Sequence, residues 1–205
     1  LDVDFAARRL SGAVDLRLER LAPEADRVVL DTNGLVIRRA WLVDGESVQP
    51  IEFRLDDGIP VLGRPLVLQL PESVRGRSPV TVRISYQTTP ESQGLQWLLP
   101  AQTAGKQHPF LFSQSQSIYA RTWIPLQDTP QVRYTFTARI TTPKALRAVM
   151  GAVNDAGTPL DGDFAFEMPQ PIPSYLMAIA VGELAFRPTG PRSGVYAEPS
   201  VVERA

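Results

Sequence analysis

Two glutamines separated by one residue, Gln114 and Gln116, are the side chains of this sequence best suited to bind a small polar group. In an extended segment, residues spaced by two point the same way, so both amides would project into one pocket. An amide oxygen accepts a hydrogen bond from an ammonium group, while the amide nitrogen donates to a carbonyl. The pair therefore suits recognition of a peptide N-terminus without adding charge. The alternative is that both are ordinary surface amides.

Three serines alternate with these glutamines and raise the question of a serine nucleophile. Ser113, Ser115 and Ser117 have a single imidazole in the chain to serve as their base, because His108 is the only histidine. His108 precedes Pro109, which favours an extended loop at that position. The nucleophile-elbow motif G-x-S-x-G is also absent from the sequence. We therefore interpret His108 as a solvated loop residue and expect no serine hydrolase site.

Two acidic turns and two tryptophans offer weaker alternatives. Asp56-Asp57 and Asp161-Gly162-Asp163 carry the hard oxygen ligands that Ca²⁺ prefers, but neither turn supplies the six or more oxygens that the ion needs. Trp97 and Trp123 could stack on a sugar ring, although tryptophan is commoner in a β-sheet core. We expect solvated turns and core tryptophans.

The composition argues against several classes of protein. Of the 205 residues, 43% are hydrophobic, and 21 basic and 22 acidic side chains leave a formal charge of -1. This balance disfavours a nucleic-acid partner and a polybasic membrane binder. The chain has no cysteine, which excludes a disulfide framework, and one histidine, which excludes a metal site built from several imidazoles.

The sequence also bears on membrane association and source. No apolar run approaches the ~20 residues of a spanning helix, so we expect a soluble protein without a membrane span. This leaves both a cytoplasmic and a periplasmic location open. Arginines make up 19 of the 21 basic residues, which is typical of a GC-rich bacterial source.

Strands must position the glutamine pair, because most of the chain alternates between apolar and polar residues. Such alternation puts one face of a strand in a core and the other in water. It is clearest over residues 14–19, 66–70, 80–86 and 132–140. Shorter β-rich pieces cover residues 27–30, 35–38, 51–55, 164–167 and 175–181.

Turn residues that tolerate positive φ fall between these pieces and predict hairpin reversals. They are Asn33-Gly34, Asp44-Gly45, Asp57-Gly58 and Asp161-Gly162. The chain has no amphipathic helix of three turns, so the pattern predicts an all-β saddle or sandwich of mostly antiparallel strands, with less helix than the usual third. Residues 113–130 lack the alternation, and segments that break local consistency often carry function.

At the glutamine pair the chain resembles the zinc aminopeptidases of the aminopeptidase N and leukotriene A(4) hydrolase family. The Gln-x-Gln motif followed by Gln-Asp-Thr-Pro favours the leukotriene A(4) hydrolase branch over the branch with Gln-x-Glu and Asp-Glu-Pro. The resemblance covers essentially the whole chain. Its segments are residues 30–32, 35–37, 112–116, 120–121, 124–130, 171–182 and 190–192.

The resemblance implies that residues 1–205 form a single N-terminal β domain, and that the zinc-binding catalytic domain expected after it is absent from this chain. In the family, zinc is held by H-E-x-x-H and a distant glutamate, and it polarises the scissile carbonyl and activates water. This chain alone is therefore expected to hold no catalytic residue, bind no metal and be inactive. Its expected partners are its own C-terminal catalytic domain and peptide N-termini as substrate.

The resemblance also assigns roles to single residues. Gln116 matches the side chain that helps to bind the free α-amine of the substrate, and Gln114 matches its neighbour at the floor of the pocket. Ser117 lies where the family uses backbone near the first substrate residue. Arg121 and Asp128 match recurrent structural positions and are expected to form an internal ion pair or hydrogen-bond group rather than to take part in catalysis. The alternative is a stand-alone β-sandwich module that binds a ligand or a protein without catalysis.

Overall fold

Strands dominate the chain, as the alternation predicts. The computed structural model describes residues 1–204, and strands account for 49% of it and helices for 8%. The strands are β1 (Asp2–Asp4), β2 (Arg9–Leu18), β3 (Arg27–Thr32), β4 (Val36–Asp44), β5 (Ser47–Pro50), β6 (Phe53–Leu55), β7 (Arg64–Gln69), β8 (Val80–Gln87), β9 (Leu95–Leu98), β10 (Phe110–Ser113), β11 (Arg133–Thr141), β12 (Arg147–Met150), β13 (Asp163–Pro173), β14 (Ile179–Gly182), β15 (Ala185–Gly190) and β16 (Ser193–Ala197). The all-β prediction is confirmed.

The helices are short connections. Those of 3₁₀ type are Glu72–Val74, Pro100–Gln102, Ala120–Thr122 and Ser174–Leu176, and the α-helical turn is α1 (Pro199–Val202). Within residues 1–204, no helix has the length and apolar character that crossing a membrane requires.

The strands are arranged in one large sheet and three smaller ones. The large sheet has seven strands in the order β13-β11-β1-β2-β8-β4-β5. The others are a four-stranded sheet (β12-β14-β10-β9), a three-stranded sheet (β3-β7-β6) and the hairpin β15-β16. Among the strand pairs of the described residues, β1 runs parallel to β11 and the rest are antiparallel. The predicted, mostly antiparallel arrangement is confirmed.

The four-stranded and three-stranded sheets cover one face of the seven-stranded sheet. On β2, Leu10 belongs to one buried apolar cluster and Leu16 to another, and residues an even number apart on a strand share a face. The first cluster contains Leu111 and Val181 of the four-stranded sheet, and the second contains Leu66 of the three-stranded sheet. The four-stranded sheet, which leads into the glutamine pair, is therefore held over the first cluster.

The turn signals predict chain reversals better than they predict pairing. Asp44-Gly45 joins the paired strands β4 and β5, with Gly45 at a φ of +59°. Asn33-Gly34 and Asp161-Gly162 also contain a glycine with positive φ, but each turn carries the chain from one sheet to another. The hairpins predicted at these two turns are therefore wrong, because the flanking strands belong to different layers.

The strand predicted over residues 175–181 is shorter than expected. Ser174–Leu176 form a 3₁₀ turn, which Met177 closes with a 3.0 Å hydrogen bond from its N–H to the Ser174 carbonyl, and β14 begins at Ile179. The turn takes the chain from β13 in the large sheet to β14 in the four-stranded sheet. An apolar run without alternation does not distinguish a strand from such a turn.

Candidate functional site

The glutamine pair lies on a loop at the end of β10, an inner strand of the four-stranded sheet. The strand ends at Ser113, and residues 114–119 lead into the 3₁₀ turn that begins at Ala120. Gln114, Gln116 and Ser117 are exposed. Exposure is expected both of pocket-lining side chains and of ordinary surface amides, so the role of the pair stays a prediction. The structure places all three on one short loop.

Ser115, between the glutamines, anchors this loop to the core. Its side chain is 2% exposed. The hydroxyl donates a 2.7 Å hydrogen bond to the Met177 carbonyl and accepts a 3.1 Å hydrogen bond from the indole Nε1 of Trp123. The Ser115 carbonyl accepts a further bond of 2.9 Å from the Tyr119 N–H. Because the residue between them is fixed by the core, the two glutamines are turned outward.

The side-chain amide of Gln114 is engaged in a hydrogen bond within the loop, whereas that of Gln116 is not. The Gln116 N–H donates to the Gln114 side-chain Oε1 at 3.0 Å, and the Gln114 N–H donates to the Gly94 carbonyl at 2.9 Å. The Gln114 oxygen is thus occupied in bracing its neighbour. Within residues 1–204 the side-chain amide of Gln116 has no hydrogen bond, so its oxygen can accept one from a ligand.

Gly94 is required where β9 approaches the loop. An added Cβ at this position would lie 2.5 Å from the Thr122 Oγ1 and 2.6 Å from the Tyr119 carbonyl oxygen. The Gly94 N–H also donates a 3.0 Å hydrogen bond to the Thr122 Oγ1. The Gly94 backbone therefore holds the start of the glutamine loop through the Gln114 N–H, and the turn after the loop through the Thr122 hydroxyl.

A buried ion pair supports the 3₁₀ turn that follows the loop. Arg121 donates from Nε to the Asp128 Oδ2 at 3.0 Å, and the two side chains are 6% and 0% exposed. The Asp128 N–H donates to the Asp31 Oδ2 at 2.8 Å, and Asp31 lies 3.4 Å from the Arg121 Nη1. The predicted internal ion pair of Arg121 and Asp128 is present, with Asp31 as a third member.

The hydroxyl group of Ser174 joins this network, and that of Tyr134 lies beside it. Ser174, which is 1% exposed, donates to the Asp128 Oδ1 at 2.5 Å. The Tyr134 hydroxyl donates to the Gln127 carbonyl at 2.6 Å, and burial raises the pKa of Tyr134 well above its usual range. Tyr134 is therefore a hydrogen-bond donor close to Asp31 and Asp128, whose charges also raise its pKa.

The structure shows where the two tryptophans and the histidine considered as alternative site residues lie. Trp123 is fully buried, so the sugar-stacking role considered for it is wrong, and its indole serves the core instead. Trp97 is half-buried and meets the Phe5 ring edge-on at a centroid distance of 5.5 Å. His108 lies in a bend, in agreement with its interpretation as a loop residue.

The acidic turns are paired with arginines. Asp56 accepts from the Arg54 Nε at 2.7 Å, and Asp163 forms an ion pair with Arg139. The Arg139 hydrogen bond lowers the pKa of Asp163. No group of three or more histidine, cysteine or acidic side chains in residues 1–204 can hold a metal ion. The donor set of residues 1–204 therefore does not fit a zinc site.

The sequence reasoning missed the residues that hold the site from behind. The sequence offers Ser115 only as a candidate nucleophile and predicts no role for Ser174. The sequence contains no signal for either role, because each serine donates to a residue distant in the chain: Ser115 bonds to Met177, 62 positions away, and Ser174 to Asp128, 46 positions away.

Ser115→Ala is expected to lower the free energy of unfolding by about 1–3 kcal/mol, because it leaves a buried indole N–H and a carbonyl without their partner. Denaturant unfolding of the chain measures this change. Ser117→Ala is the matched control, since this serine is exposed and its loss should change stability by less than about 0.5 kcal/mol. Equal effects of the two variants would contradict the anchoring role.

Comparison with known proteins identifies the family. A family model described as the Peptidase M1 N-terminal domain matches residues 1–176. Leukotriene A-4 hydrolase of Xenopus laevis is 38% identical over 208 residues, which cover 99% of this chain and 34% of that protein. Leucine aminopeptidase 2 of Pyricularia oryzae is 38% identical over 209 residues, which cover 99% and 33%. The chain thus spans about a third of the length of these relatives.

Solved structures agree with this match. Yeast LTA4 hydrolase in complex with bestatin has a TM-score of 0.87 at 35% identity, over 98% of this chain and 30% of that chain. An M1 zinc metallopeptidase of Deinococcus radiodurans bound to a Tyr-Ser-Ala substrate has a TM-score of 0.67 at 25% identity, over 92% and 42%. The matches include vertebrate, fungal and bacterial proteins, so the bacterial source stays a prediction. The chain belongs to the M1 peptidase family, in which it matches the N-terminal domain.

Proposed function

We propose that residues 1–205 are the N-terminal domain of a zinc aminopeptidase of the leukotriene A(4) hydrolase type. In this proposal the domain contributes one wall of the active site, and a catalytic domain after Ala205 supplies the zinc and the catalytic groups. The observation that carries the proposal is the outward-facing glutamine pair on a loop braced from the core. The names of the relatives, a leukotriene A-4 hydrolase and a leucine aminopeptidase, support the same reading.

Gln116 is the residue that meets the substrate in this proposal. Its free amide oxygen accepts a hydrogen bond from the α-ammonium group of a peptide N-terminus, which anchors the substrate by its first residue. Gln114 braces Gln116 through the hydrogen bond from the Gln116 N–H to its own side-chain oxygen. Ser117 offers backbone and hydroxyl groups next to the first substrate residue. Because both amides are neutral, this wall adds no charge to the pocket.

In the proposed enzyme, zinc belongs to the catalytic domain that follows this one. The described residues 1–204 offer no metal-binding group, whereas the Deinococcus relative is a zinc metallopeptidase bound to a peptide substrate. The ion would therefore be held entirely by side chains beyond Ala205.

The reading frame of the gene tests the proposal directly. It should continue past Ala205 and encode H-E-x-x-H in the domain that follows. The complete protein should bind zinc and hydrolyse aminoacyl anilides. Residues 1–205 alone should do neither, because zinc sites need three or four protein ligands. A frame that ends soon after Ala205, or zinc bound tightly by residues 1–205, would overturn the proposal. The first result would instead favour a stand-alone binding module.

A further inference from the structure

The Thr122 hydroxyl joins the end of the glutamine loop to the segment that precedes β9. Thr122 belongs to the 3₁₀ turn after the loop and is 2% exposed. Its hydroxyl donates a 2.7 Å hydrogen bond to the Tyr119 carbonyl and accepts a 3.0 Å hydrogen bond from the Gly94 N–H. Ser92 donates to the Thr122 carbonyl at 2.8 Å, and its Oγ lies 3.1 Å from the Thr122 Oγ1. One buried side chain therefore connects the turn, the loop and the segment before β9.

A chain of hydrogen bonds runs from this hydroxyl to the proposed amine anchor. The Gly94 N–H donates to the Thr122 Oγ1, and the Gly94 carbonyl accepts a 2.9 Å hydrogen bond from the Gln114 N–H. The Gln114 side-chain oxygen in turn accepts from the Gln116 N–H at 3.0 Å. A shift between Thr122 and Gly94 therefore displaces the backbone that carries both glutamines.

The turn that carries Thr122 has a fixed position in the domain. The Arg121 N–H donates to the buried Asp128 carboxylate at 3.2 Å, and the Arg121 side chain donates to the same oxygen at 3.0 Å. The Asn33 N–H donates to the Arg121 carbonyl at 3.0 Å. The Thr122 hydroxyl thus transmits the position of a buried, hydrogen-bonded turn to a loop whose glutamines are exposed.

The contacts of this hydroxyl leave no room for a larger group. Gly94 is packed closely against it, since an added Cβ there would lie 2.5 Å from the Thr122 Oγ1. A methyl group in place of the hydroxyl would meet the Tyr119 carbonyl oxygen at the present 2.7 Å, whereas carbon–oxygen contacts need about 3.3 Å. The exchange therefore forces the turn and the loop apart by about half an ångström.

We infer that Thr122 is a positioning residue for the amine anchor: its hydroxyl sets the distance between Gly94 and the end of the glutamine loop, and thereby the place of Gln116. The inference rests on the proposed function, in which Gln116 binds the substrate ammonium group. Thr122 is buried and acts only through Gln116. An anchor in the wrong place holds the scissile bond out of line, and a misplacement of about 1 Å costs about 100-fold in rate.

Thr122→Val in the complete protein tests this inference. We expect kcat/KM for an aminoacyl anilide to fall about 10-fold, since the forced shift is about half of the 1 Å that costs about 100-fold. Thr122→Ser keeps the hydroxyl and should restore the unmodified value. Thr122→Ala removes the hydroxyl without the clash and should act in the same direction, so it takes the place of a valine variant that does not fold.

Thr88→Val is the matched control for the loss of a buried hydroxyl. Thr88 is fully buried, and its Oγ1 accepts a 2.9 Å hydrogen bond from the Leu10 N–H of β2 rather than from the segment beside the loop. This variant should lose stability and keep kcat/KM unchanged. Zinc content is measured on every variant, so that only zinc-loaded samples are compared.

A double-mutant cycle with Gln116→Ala separates positioning from a general structural effect. Because Thr122 acts through Gln116, Thr122→Val should cause no further loss of kcat/KM once the Gln116 amide is removed, so the two losses are not additive. Additive losses, an equal loss in Thr88→Val, or an unmodified kcat/KM in the Thr122 variants would overturn the inference and leave the proposed function standing. An unmodified kcat/KM in Gln116→Ala would instead overturn the proposed role of Gln116, and the inference with it.

Discussion

Asp128→Ala is expected to lower the free energy of unfolding by about 3–5 kcal/mol, because removal of one partner of a buried ion pair leaves the other charge uncompensated. The Asp128 side chain is fully buried and accepts hydrogen bonds from Arg121 and Ser174. In the variant, the Arg121 guanidinium would keep only the weaker contact with Asp31 and two backbone carbonyls. Urea unfolding measures the effect as a lower midpoint at an unchanged slope.

An exposed ion pair is the control for this experiment. Asp15 and Arg83 form two hydrogen bonds of 2.6 Å, but their side chains are 44% and 41% exposed. Surface pairs contribute at most about 1 kcal/mol, so Asp15→Ala should shift the midpoint only slightly. If Asp128→Ala had no larger effect than Asp15→Ala, the buried network would not be what stabilises the turn after the glutamine loop.

The alternation in the sequence was sufficient to predict three strands of the large sheet, β2, β8 and β11. On β2, β8 and β11 one face is more buried than the other, so their side chains follow a period of two that a single sequence reveals. The four-stranded sheet was largely missed for the opposite reason. β10 and β14 are apolar on both faces, and β9 and β12 are four residues each, too short to establish a period.

The candidate site was predicted in its outward part and, through the family resemblance, in the buried pair of Arg121 and Asp128. The exposure of Gln114 and Gln116 could be expected, because neutral amides spaced by two are poor core residues. The rest of the frame behind them could not, since it joins segments far apart in sequence: Asp128 bonds to Asp31 across 97 positions. A single sequence shows which residues can form hydrogen bonds, but it does not show which distant partner each one meets.

Gln116→Ala in the complete protein is expected to lower kcat/KM for aminoacyl substrates by about 10- to 150-fold. The lost interaction is a hydrogen bond to a charged group, worth about 1.5–3 kcal/mol, and each 1.36 kcal/mol is a factor of ten in rate. Stability should change by less than about 0.5 kcal/mol, because the side chain is exposed and its amide has no partner within residues 1–204. Steady-state kinetics with an aminoacyl anilide measure the first effect, and denaturant unfolding measures the second.

Companion variants separate amine binding from a general effect of the loop. Gln114→Ala should act in the same direction but less strongly, because it removes the brace on the Gln116 N–H rather than the ligand contact. Gln116→Glu adds a carboxylate that can pair with the ammonium group, so it should retain or tighten amine binding. Gln131→Ala, at an exposed glutamine outside the loop, should leave kcat/KM unchanged. If both Gln114→Ala and Gln116→Ala cleave at the unmodified rate, the pair consists of ordinary surface amides and the amine-anchor role is wrong.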